Sequence, residues 1–180
     1  MKLSMMLAVL LSCAPGLALA ADSGAAAPLD DASLALTLRT ANDAEIQAAR
    51  TASEKTGSAS VKDFAQMMLL GHQKSNEDIA ANLKRMGEVP QENAMATSLR
   101  SEAETQASQL ASQSGDAFDK AYLDQQVDAH KKVLSLLDDA LSNPVARDPQ
   151  FRALLENTRE TVRTHLEHAE GLQANAKTLR

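Results

Sequence analysis

The sequence predicts an all-α protein, a four-helix bundle of two antiparallel hairpins with an extra short connecting helix. Three observations carry that expectation. Trp is absent and there is a single Tyr, so the core must be built mainly from Leu, Ala, Met and Val. An alanine-rich chain nearly free of aromatic residues favours closely packed helices over a sheet. Four long stretches repeat apolar residues at alternating steps of three and four, the spacing of a coiled-coil-like seam, and strand-like alternation is missing. Helix punctuation then divides the chain into two hairpins with short turns and a longer connection between them, which is bundle layout.

The elements follow in order. Residues 1–20 read as a signal peptide: Met1-Lys2 is a short positive start, Leu3 to Leu11 is mostly apolar and too short for a spanning helix, and Ala18-Leu19-Ala20 is an A-x-A site with the cut after Ala20. Leu10-Leu11-Ser12-Cys13 loosely resembles a lipobox, but Leu11 occupies a position that prefers a small residue, so lipidation of Cys13 is the weaker reading. Both routes export the chain to the periplasm or beyond. Residues 21–30 carry Pro28 and read as a disordered tether, which leaves residues 31–180 as the bundle domain. The first helix is expected from Asp31 to Thr56, with Gly57 as a left-handed stop. Ser60 and Asp63 resemble a capping box opening the second helix, which runs from Val61 to Met86 and ends at Gly87, before Pro90. Residues 92–112 read as a short, weakly apolar connecting helix. Ser114-Gly115-Asp116 caps the third long helix, from Ala117 to about Leu141. Asp148-Pro149, an N-cap followed by Pro at the first helical position, starts the fourth.

Charge and cysteine usage exclude some functions. Cleavage after Ala20 removes Lys2 and no acid, leaving 17 basic against 24 acidic residues, a net charge of −7. Such a chain is not expected to bind nucleic acid or an anionic membrane surface by electrostatics, and the mature chain is expected to have no transmembrane span. Cys13 is the sole cysteine and leaves with the signal peptide, so neither a disulfide nor thiolate chemistry is expected.

One constellation stands out. Positions 34, 38, 41, 45, 48 and 52 of the first seam read Leu, Leu, Ala, Glu, Ala, Ala. Each of the other three long seams is likewise largely apolar and interrupted by a single imidazole. The interruptions are Glu45, His72, His130 and His165. Glu45 lies thirteen residues before the first hairpin turn and His72 fourteen after it; His130 lies sixteen before the second turn and His165 nineteen after. The larger mismatch is roughly 4–5 Å of helical rise, so all four residues fall near mid-height. Two readings stay open. In one, they are core polar residues bonded to one another, to nearby hydroxyls or to buried water. In the other, three neutral imidazoles and one carboxylate hold one transition-metal ion, Zn, Fe, Mn or Cu. A di-iron centre is disfavoured, because it wants Glu-x-x-His on two helices and Leu69, Val127 and Val162 stand where those Glu residues would be. His168 falls off the seam and reads as a surface residue. Met67 and Met68 read as core filler, and Phe118 and Tyr122 as a plug at one end of the bundle.

Several landmarks resemble an exported bacterial family catalogued as domain of unknown function 4142. They are Ala44-Glu45, Phe64-Ala65-Gln66-Met67 followed by His72, Phe118-Asp119-x-x-Tyr122-Leu123 with His130, and His165-Leu166-x-x-Ala169. The chain departs from that pattern at Gly71, where an Asp is usual, and at Glu160, where Pro is common. The resemblance covers roughly residues 31–174 and implies a ferritin-like four-helix fold and export; it implies no activity. The resulting expectation is an exported helical-bundle protein, more a binding or stress-related module than an enzyme, with a mononuclear metal site. The alternatives are a ferritin-like metal-dependent redox enzyme and a purely structural or interaction bundle without metal.

Overall fold

Helices form where the chain offers good formers between well-chosen ends. The computed structural model describes residues 29–143 and 146–178, with side chains to residue 175. The expected signal peptide and the tether up to Pro28 lie outside the described residues. Five helices result: α1 Asp31–Lys55, α2 Ala59–Met86, α3 Ala94–Ala111, α4 Gly115–Ser142 and α5 Pro149–Thr178.

The ends explain where each helix starts and stops. Asp30 accepts a 2.8 Å hydrogen bond from the Ser33 N–H and so caps α1. Leu29 packs against the core beside it, so both residues belong to the bundle. Two local expectations need correction. Gly57 is not a left-handed stop: positive φ among the described glycines is confined to Gly87 and Gly115, and α1 instead leaves through an extended Thr56 whose N–H still reaches the Ala52 carbonyl. The cap of α2 is Ser58 and not Ser60, with the Ser58 side chain accepting from Val61 N–H. Gly87 behaves as expected, at φ 71° and ψ 20°, a conformation that costs a β-carbon residue far more than glycine. Asp148 accepts from Gln150 N–H (3.0 Å) and Phe151 N–H (2.8 Å) at the start of α5.

The connecting helix sets the topology. At its start, Asn93 Nδ2 donates to the Ser33 carbonyl near the beginning of α1. At its end, Lys55 Nζ at the close of α1 donates to the carbonyls of Leu110 and Ala111. Helix α3 therefore runs alongside α1 in the same direction and returns the chain to the end where α1 finishes. From there α4 runs back and α5 returns. The four long helices stand in the ring order α1, α2, α5, α4, each antiparallel to both neighbours. Asp31 at the far end accepts from the backbone N–H groups of Arg147 and Asp148, closing that end. Helix α3 itself buries only Ala96 and Leu110 among its side chains. No described helix is long and apolar enough to cross a membrane.

The apolar interior is split in two. One cluster, at the α3–α4 end, gathers Phe64, Met68, Phe118, Tyr122 and Leu123. Phe118 and Tyr122, which stack at 6.4 Å, do fill this end of the bundle. The other cluster gathers Leu34, Ile79, Leu137, Phe151 and Leu155 at the opposite end. Between them lies a polar waist. Phe64 is fully buried, whereas Leu70, on the same helix, is 60% exposed. Phe64→Ala is expected to lower the unfolding free energy by about 3–5 kcal/mol in denaturant titrations, and Leu70→Ala to change it by less than about 0.5 kcal/mol.

Candidate metal centre

The waist is where the four seam interruptions meet. Glu45 comes from α1, His72 from α2, His130 from α4 and His165 from α5, and all four are buried. The three imidazoles form a nearly three-fold arrangement. Their ring centroids stand 5.7, 5.4 and 5.6 Å apart, and each pair meets edge to face at 61–66°. One nitrogen from each ring lies within 4.8 Å of the other two. Three nitrogens bound to one ion at 2.0–2.1 Å stand about 3.3–3.6 Å apart, somewhat closer than that limit.

Hydrogen bonding fixes which nitrogens face inward. Asn42 Nδ2 donates to Ser75 Oγ and Asn76 Oδ1, both at 2.9 Å. Its Oδ1 is thereby turned toward His72 Nδ1, 2.9 Å away, so Nδ1 of His72 must carry the proton. His130 Nδ1 lies 2.8 Å from the Gln126 carbonyl, which can only accept, so it too is the protonated nitrogen. Both rings then present an Nε2 lone pair, and both Nε2 atoms are buried with no protein partner. His165 Nδ1 is likewise buried and unpartnered. An imidazole whose second nitrogen donates to an oxygen is how proteins orient metal-bound histidines.

Glu45 shares the cavity wall with the three rings, but its carboxylate does not join the group of converging ligand atoms. Instead Gln126 Nε2 donates to its Oε2 at 2.6 Å. Of the four residues expected as ligands, the fold therefore converges three, and Glu45 stands beside them in the outer layer. Helical position told which face each residue occupies; it did not tell that Gln126, four residues before His130, would reach Glu45 first. Asn42 and Gln126 were not singled out from sequence. The available signal was their spacing, three residues before Glu45 and four before His130, which puts each on the face of its neighbour. Gly71 also has a spatial role, since a β-carbon there would lie 3.0 Å from His165 Cε1. His168 is exposed, as expected, with its ring edge on Phe64 at 5.2 Å.

Burial dominates the electrostatics. Desolvation, reinforced by the other two rings, holds His72 well below the ordinary imidazole range. Burial lowers His130 to about 4 against the opposing bond to the Gln126 carbonyl. It lowers His165 to about 4 as well, assisted by His130 and His168. Glu45 moves the other way, pushed up to about 7 by burial against the Gln126 hydrogen bond. Burial and the nearby Glu45 raise the Tyr122 phenol far above its usual range. The waist thus holds three neutral imidazoles at neutral pH, the protonation state that binds a metal.

These shifts give the metal-free protein a defined pH profile. Between about 4 and 6.5 the unfolded chain binds protons at the three histidines that the folded chain refuses, so their contribution to stability is lost as pH falls through that window. Glu45 acts oppositely: its retained proton favours the folded state below 4.5, and that contribution is lost as pH rises through about 7. With three groups against one, thermal melting temperature is expected to fall from pH 6.5 to pH 4. Replacing His130 by Gln is expected to flatten that slope.

A cavity of about 200 Å³ opens from the three rings toward the second apolar cluster, with Leu38, Val133, Leu154 and Val162 on its walls. No curated protein matches the chain in sequence. A DUF305 protein from Streptomyces coelicolor has a similar fold, with a TM-score of 0.71 at 11% identity, covering 84% of this chain and 96% of that one. A DUF305 fragment from Deinococcus radiodurans has a TM-score of 0.71 at 16% identity, covering 81% of this chain and 95% of that one. At such identities the likeness speaks for the helical fold alone. The model of the family described as domain of unknown function (DUF4142) matches residues 16–172, and the chain belongs to that family.

Proposed function

We propose that the protein is an exported helical-bundle module that binds one transition-metal ion between His72, His130 and His165. The observation that carries this reading is the convergence of three buried imidazoles, each of which also has a buried nitrogen with no protein partner. A buried polar atom left unpaired costs about 1–3 kcal/mol, and here the three rings together hold three such nitrogens. A metal ion satisfies all three at once. An all-imidazole set suits Zn, Cu or Fe better than Mn, which favours carboxylate oxygen. Glu45, its carboxyl group held by Gln126, lines the same cavity beside the three rings. With three protein ligands one position of a tetrahedral ion stays open. Export rests on the basic start, apolar run and A-x-A site of residues 1–20.

Reconstitution with Zn, Cu, Fe and Mn, followed by metal analysis, tests the site. About one equivalent of Zn or Cu is expected per mature chain, with affinity falling at least a hundredfold in His130→Ala. Less than about 0.2 equivalents of every metal in the wild-type protein sinks the proposal. Asn42→Leu leaves all three imidazoles in place but removes the acceptor that fixes His72, and is expected to weaken binding by about 10–100-fold in a competition titration.

A further inference from the structure

The cavity beside the three rings is more apolar than a metal site alone requires. Its apolar wall comes from the side of the second apolar cluster, Leu38 on α1, Val133 on α4, and Leu154 and Val162 on α5, while Asn42, Lys74, Ser75, Asp78 and Thr158 add polar and charged groups. At about 200 Å³ it is smaller than the roughly 300–1,000 Å³ of pockets for drug-sized ligands, but far larger than one water needs. Its rim reaches solvent at Asn157 and Thr161, both exposed. Ser75 Oγ accepts from Asn42 Nδ2, so its own hydroxyl proton remains to be donated into the space it lines.

We infer that this cavity takes a small monocarboxylate, with its head on the open metal position and a short apolar tail against Leu38, Val133, Leu154 and Val162. The inference rests on the three-histidine metal reading. Three neutral imidazoles leave the full charge of a divalent ion uncompensated within the ligand sphere, and Glu45 is engaged by Gln126 outside it. An anionic fourth ligand supplies that charge. The Ser75 hydroxyl lines the same cavity as a donor for a carboxylate oxygen. The apolar walls then select a tail over a purely inorganic anion, because a buried methylene gains free energy that a solvated one does not.

Cobalt(II) is the probe of choice, because its visible absorption reports the fourth ligand. The mature chain is loaded with cobalt, its metal content is measured, and the spectrum is titrated with azide, acetate, propionate and butyrate. Each added methylene is expected to tighten binding about fourfold. Ala41→Leu and Val133→Phe, which fill the cavity beyond the ligands, are expected to bring butyrate back to the acetate level with cobalt content unchanged. Two variants on different helices keep the test open if one fails to fold. A cobalt spectrum that responds to azide but shows equal affinity for acetate and butyrate overturns the carboxylate inference and leaves the metal site standing. A spectrum unmoved by any of the four anions overturns it too. Failure of cobalt to load overturns the metal reading and this inference together.

Discussion

The structure turns on the burial of three imidazoles and a carboxylate halfway along a narrow apolar bundle. Protein partners for such groups are scarce among helices built from Leu, Ala and Val. Every other feature of the interior answers that constraint. The apolar side chains separate into two clusters instead of one continuous core. Asn42 and Gln126 are buried, Asn42 holding His72 and Gln126 holding Glu45 through its side chain and His130 through its carbonyl. What remains unpartnered at the waist after those bonds is one nitrogen on each of the three rings and Gln126 Oε1.

Natural sequences keep local and global preferences consistent, and departures cluster where function demands them. The waist collects several departures. Polar residues interrupt all four apolar seams, and a cavity sits where packing should be dense. A glycine occupies a helix interior at Gly71, at a cost of roughly 1 kcal/mol in helix propensity. That glycine has a specific geometric reason, the ring of His165 against its α-carbon. Burial also keeps the three rings neutral, so the same desolvation that opposes proton binding leaves them ready to bind a metal.

Topology makes the convergence possible. Helix α3 carries the chain back along α1, so α4 starts beside the end of α1 and runs antiparallel to it. Every neighbouring pair in the ring is then antiparallel, and residues near the middle of each long helix arrive at one height. A direct short turn from α2 to α4 would reverse both later helices and change which faces meet. The connecting helix buries little, and its contribution is chiefly to set direction.

Much of this was legible in the chain. Apolar spacing of three and four, Gly87, and the Asp148-Pro149 start are local signals, and they located five helices to within a few residues. Mid-height placement of Glu45, His72, His130 and His165 was also legible, because rise per residue turns sequence distance from a turn into height. The caps at Ser58 and Thr56 were misread, since several hydroxyl and glycine residues in that turn could serve and only backbone geometry chooses among them. The family's landmark residues pointed to the same helices and to no chemistry. What sequence could not determine is which atoms point at which. A seam position fixes a face, whereas the reach of a side chain and its first partner depend on the neighbouring helix. The fold therefore decided that Gln126 takes Glu45, that Asn42 orients His72, and that three nitrogens, not four ligands, close on one point.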